Sequence, residues 1–102
     1  RAAGAPTLRG PLRAARDVRT PRPSYPAGAR EAGEEGEVVV RISIDAEGRV
    51  VGAEVVSGVA SERLRRVVLE TVARWTFEPA TRDGIPEPSS ATRRFGFRLE
   101  DR

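Results

Sequence analysis

Between positions 38 and 57 the chain alternates in character and then doubles back. Val38, Val40, Ile42 and Ile44 fall on one face of an extended strand, with Val39, Arg41 and Ser43 on the other, because successive strand side chains point to opposite sides. Asp45-Ala46-Glu47-Gly48 supplies the turn, since Asp caps its own backbone and Gly accepts a positive φ. The return strand puts Val51, Ala53 and Val55 inward, but Val50 breaks the alternation and Gly52 interrupts it. A bulge is expected there. A hairpin with one apolar face needs a second layer to cover it.

That layer follows directly. Ser61 is placed to cap a helix whose apolar positions Leu64, Val67, Val68, Thr71, Val72 and Trp75 recur every three or four residues. Arg63, Arg65, Arg66, Glu70 and Arg74 take its wet side. Pro79 cannot continue a helix, so this one stops by about Thr76. Residues 82–90 read as loop, and residues 93–99 as a last strand with Phe95, Phe97 and Leu99 inward and Arg94, Gly96 and Arg98 outward. Upstream, Ser24 and Pro26 start a short helix that Gly33 and Gly36 close. The expected core is Val38, Val40, Ile42, Ile44, Leu64, Val68, Val72, Trp75, Phe77, Phe95, Phe97 and Leu99.

The order α-β-β-α-β implies an α+β fold of two layers, a three-stranded antiparallel sheet with both helices on one face. The first strand is the most apolar and belongs in the middle, so a right-handed crossover gives the order 2-1-3. The last strand then lies on an edge, with backbone donors and acceptors unpaired along its outer side.

Charge divides the chain in two. Residues 1–30 hold seven Arg and one Asp, whereas residues 31–102 hold eleven Arg against fourteen Asp and Glu. Five of the eight prolines lie in the first 26 residues. Residues 1–21 therefore read as a basic, Pro-rich linker, with a domain over residues 22–102. The net charge of +3 belongs to the linker, which weakens a nucleic-acid reading. An RNA-binding sheet also stacks bases on open-face aromatics, and here that face carries Val39, Arg41, Ser43, Arg94 and Arg98. With no Cys and no His, thiol nucleophiles, imidazole bases and Cys/His zinc sites are excluded. Asp45, Glu47, Glu54, Asp83 and Glu87 lie in turns, in a loop or on a strand, with no concave site to pair them. No enzyme, metal or cofactor is expected. The first residue is Arg and no apolar run reaches about 18 residues, so the chain reads as an excised piece that lacks any signal or membrane anchor.

From Tyr25 to Leu99 the motifs also stand in a known order: Tyr25-Pro26, Glu35-Gly36-Glu37-Val38, Asp45-Ala46-Glu47-Gly48-Arg49-Val50, Trp75-Thr76-Phe77-Glu78-Pro79-Ala80, Gly84-Ile85-Pro86 and Phe95-Gly96-Phe97-Arg98-Leu99. No one motif is specific. Six in sequence at matching separations resemble the C-terminal domain of TonB-type energy transducers. Where many members carry an apolar residue after Gly-x-Pro, this chain has Glu87-Pro88, which is expected to shorten the last strand or open its start.

The resemblance implies a periplasmic domain tethered to the inner membrane and driven by a motor complex there. Its partner would be the N-terminal peptide of an outer-membrane β-barrel transporter, added as a strand beside the last strand. That mode takes affinity from backbone hydrogen bonds and needs only an exposed edge. By position, Thr92, Arg93, Arg94, Phe95, Gly96, Phe97, Arg98 and Leu99 carry the edge, and Arg22 and Ser24 are additional partner contacts. Arg93, Arg94 and Arg98 read either as contacts to an acidic peptide or as charges that deter edge aggregation. The alternative keeps the fold and serves an envelope-spanning motility, sensing or scaffold protein with another partner. A monomer is expected when dilute, with dimers through edge strands at high concentration.

Overall fold

The computed structural model describes residues 11–99. In chain order the elements are β1 (Leu12–Arg13), β2 (Arg16–Arg19), α1 (Ala27–Glu31), β3 (Gly36–Ile44), β4 (Val50–Ser57) and α2 (Glu62–Val72). After these come β5 (Thr76–Glu78), β6 (Ala80–Arg82), β7 (Ile85–Glu87) and β8 (Ser89–Phe97). The principal sheet is antiparallel in the order β4-β3-β8, with the most apolar strand in the middle. This is the 2-1-3 order the sequence implied.

The core is the layer between that sheet and the helices. Val38, Val40, Ile42 and Ile44 from β3 meet Leu64, Val68 and Val72 from α2, with Ala29 of α1, Trp75, Phe77 and Phe97 completing it. Burying each aliphatic side chain is worth about 1.5–3 kcal/mol, which outweighs the modest helix preference of the valines in α2. The Ser61 hydroxyl accepts from the Leu64 N–H at 3.2 Å and caps that helix as expected. Phe95 is half-buried against the core. Leu99 is not part of it: β8 ends at Phe97, and Leu99 follows in a turn, its N–H donating to the Glu35 carboxylate at 2.8 Å.

Other expectations shift for identifiable reasons. Ser24 does not cap α1, because Pro26 itself takes the cap position in an extended conformation (ψ 138°) and no side chain bonds there. The helix closes at Gly33, whose N–H donates to Arg30 O while the Glu34 N–H donates to Ala29 O, the paired bonds of a Schellman ending. α2 ends at Val72 rather than near Thr76, because residues 76–78 leave it to pair with β2. The bulge expected near Val50 is present, but Val51 is its extra residue: Ile44 pairs with Val50 and Ser43 with Gly52. Val51 therefore points out, 65% exposed.

Residues 82–90 are not a loop. Asp83 and Gly84 take φ of 57° and 78°, the two positive values of a tight hairpin turn, and β6 pairs with β7 across it. Nor does Glu87-Pro88 shorten the last strand, which begins at Ser89 and runs nine residues. Of the segment read as linker, residues 1–10 lie outside the described residues, while β1 pairs with β6 and β2 with β5.

Candidate functional site

β8 pairs with β3 without interruption, from Ser89 opposite Ile44 to Phe97 opposite Gly36. Among the described residues no strand pairs with its other side. Exposure alternates along it: Ala91, Arg93, Phe95 and Phe97 lie toward the helices, Thr92, Arg94 and Gly96 on the open face. Nine residues of regular strand therefore present one continuous edge. Such an edge is a template for another strand.

The segment before Tyr25 runs beside this edge. The Trp75 indole N–H donates to Pro21 O at 2.8 Å, and its ring lies 5.7 Å from that of Phe95. One side chain thus fixes both the last strand and the approach segment. Tyr25 meets Phe97 edge-on at 5.3 Å, and its hydroxyl donates to Glu34 O. Two grooves result. One of about 220 Å³ is lined by Asp17, Thr20, Arg22, Trp75, Phe95 and Gly96. The other, about 590 Å³, is lined by Arg22, Pro23, Tyr25, Arg30, Phe97 and Arg98.

The arginines of the last strand have different surroundings. Arg93 lies on the helix side and donates to the Asp17 carboxylate at 2.8 Å. Arg94 reaches Glu37 at 3.5 Å on the open face, an exposed pair worth well under about 1 kcal/mol. Arg98 follows the strand without an ion pair among the described residues. Arg22 lines both grooves, whereas Ser24 is exposed and lines neither. Gly96 lines both grooves, and a Cβ there would meet nothing within 4 Å. The fold makes no steric demand for glycine at that point.

Reading the sequence missed the Trp75 bond to Pro21, the Arg93 pairing with Asp17 and the place of Arg30. A buried Trp advertises a need for an acceptor, but nothing in the sequence says which carbonyl supplies it. Among the described residues no three His, Cys, Asp or Glu side chains are grouped to hold a metal ion.

Comparison with known proteins locates this arrangement. Residues 21–99 match a family model described as the Gram-negative bacterial TonB protein C-terminal. Protein TonB of Pseudomonas aeruginosa is 35% identical over 85 residues, covering 83% of this chain and 25% of that protein. Protein TonB of Vibrio cholerae is 34% identical over 79 residues, or 78% of this chain and 32% of its own length. The chain thus spans about a quarter to a third of the curated relatives it matches. The solution NMR structure of the Pseudomonas aeruginosa TonB C-terminal domain superposes with a TM-score of 0.70 at 31% identity, covering 86% of this chain and 89% of that one.

Proposed function

This chain belongs to the TonB C-terminal family of energy transducers, and we propose that it grips an extended peptide on the free edge of β8 while force reaches it through its N-terminal segment. The peptide is the N-terminal segment of an outer-membrane β-barrel transporter. The motor is a complex of the inner membrane, reached through an anchor upstream of the domain, and the gripping end works in the periplasm.

The observation that carries the reading is the uninterrupted edge of β8, nine residues long. Strand addition there satisfies N–H and C=O groups that otherwise bond water, and it demands little of the peptide beyond an extended shape. The approach segment supports the mechanical half. β2 is hydrogen-bonded to β5, and the Pro21 carbonyl is held by Trp75, which also packs on Phe95 of β8. A pull along the N-terminal segment would therefore load the β1–β6 and β2–β5 pairings first and reach the gripping strand through Pro21 and Trp75.

The test is a titration of the isotope-labelled chain with the N-terminal segment of a β-barrel transporter from the same cell, followed by amide resonances. Changes concentrated on residues 92–98, with slowed amide exchange there, are expected. Changes confined to β4 or to the helices would overturn the reading.

A further inference from the structure

On the premise that β8 accepts a strand, we propose that residues 12–23 are a strap that shuts the β8 edge and must swing aside before a peptide can be added there. The strap reaches the edge at two points. The Asp17 carboxylate of β2 accepts from the Arg93 guanidinium of β8 at 2.8 Å, and the Pro21 carbonyl accepts from Trp75, whose ring packs on Phe95. Thr20 steadies the first of these by donating to the same carboxylate at 3.2 Å. Between strap and strand lies the groove of about 220 Å³, with Asp17, Thr20, Arg22 and Pro23 on one wall and residues 94–97 on the other. An added strand needs more room than that. At about 4.8 Å between strands, about 3.4 Å per residue and about 10 Å of layer thickness, each strand residue fills about 160 Å³. The groove holds little more than one residue, whereas addition along residues 92–98 needs several.

The strap is held by weak means. Every residue of β1 and β2 is exposed, and of the apolar residues at positions 12–19 only Ala15 packs against the core. What remains is backbone pairing with β6 and β5 and two solvent-accessible ion pairs, Arg16 with Glu78 and Asp17 with Arg93, which stabilise little. A segment with so few buried apolar contacts opens locally while the rest of the fold stays intact. A pull from the N-terminal side meets β1 first and then β2, so tension works in the opening direction and clears the edge. The match to the family begins at residue 21, and β1 and β2 lie outside it.

With the strap mostly closed, the apparent affinity is the intrinsic one scaled by the open fraction. The experiment uses the full chain and the transporter peptide of the titration above. Arg16→Cys/Glu78→Cys places two thiols on a register pair of β2 and β5 in a chain with no other Cys, so oxidation locks the strap and reduction frees it. The reduced form is expected to bind at least about tenfold tighter than the oxidised form, and Asp17→Pro, which unpairs β2, about three- to tenfold tighter than the parent. In the parent, the peptide should slow amide exchange on residues 92–98 and speed it on residues 16–19, because coupling between sites is reciprocal. Unchanged amide shifts in β3 and α2 show that a variant is folded, and the oxidised–reduced comparison stands alone if Asp17→Pro does not fold. Equal affinity in the two redox forms, with residues 92–98 perturbed in both, would mean that the peptide binds beside a closed strap; this inference is then wrong and the edge reading stands. Tighter binding by the oxidised form would make the strap part of the grip and overturn the inference as well. If no form shows changes on residues 92–98, the edge reading fails and this inference with it.

Discussion

The two edge strands of the principal sheet differ in regularity, and regularity decides which can accept a partner. β4 meets β3 with two register breaks, leaving Val51 and Val56 as extra residues, 65% and 41% exposed. Each bulge bends its strand and leaves a residue outside the ladder. Such bulges are a recognised way of blunting an edge. β8 has no such break along its nine residues. The sheet thus offers one interrupted edge and one intact edge.

The largest expected effect contrasts two glycines. Gly48, in the turn that joins β3 to β4, has φ +88°, and a Cβ there would stand 1.8 Å from Phe77 O. Gly48→Val should cost more than about 3 kcal/mol in urea unfolding or prevent folding. Gly96→Val should change stability by no more than about 1 kcal/mol. An equal loss at both would show that the β8 edge is built as tightly as the hairpin turn.

Next come prolines on the two edges. Gly96→Pro should weaken the fold and reduce affinity for the transporter peptide by more than about tenfold, because it alters the backbone that binds. Val56→Pro, at a residue already outside the ladder, should leave that affinity unchanged. Equal losses in calorimetric titration would erase the distinction between edges. A smaller effect concerns the segment beside β8: Trp75→Phe removes the bond to Pro21 O and should cost about 1 kcal/mol in thermal unfolding, with altered amide shifts at residues 20–23. Unchanged shifts there would mean that Trp75 does not hold the segment.

The smallest effect is one of pH. Hydrogen bonds from the Arg49 backbone hold the Asp45 carboxyl below its ordinary value of 3.8, and the Ser61 hydroxyl does the same for Glu34, ordinarily 4.5. Folding lowers both values, so each contributes stability above its ordinary value and loses it as pH falls through the depressed one. Melting temperature should decline slightly as pH drops below about 4. Asp45→Asn should flatten part of that decline. A slope identical to the parent's would remove Asp45 from the account.

How much could be read from the chain depends on whether a segment carries its own signal. β3 and α2 announce themselves through periods of two and 3.6, because each buries one face. Their capping and turn residues, Ser61 and Asp45, were equally legible. β1 and β2 carry no such pattern: every residue in them is exposed, and they exist as strands only because β6 and β5 offer a backbone to pair with. The Asp83-Gly84 turn was legible in principle, as Asp-Gly is a strong hairpin signal, but Pro86 and Pro88 on one side argued for loop. In the site, the edge position of β8 was readable from the order of the elements. The grouping of Arg22, Arg30 and Arg98 was not, since it depends on Tyr25 folding back against Phe97.

The most direct test of the intact edge is a pair of photocrosslinkers in the source cell, one replacing Arg94 on β8 and one replacing Val51 on β4. Capture of a β-barrel transporter through its N-terminal segment from position 94, with none from position 51, is the predicted result. Capture from position 51 alone, or from both positions equally, would contradict the claim that the uninterrupted strand is the one that grips.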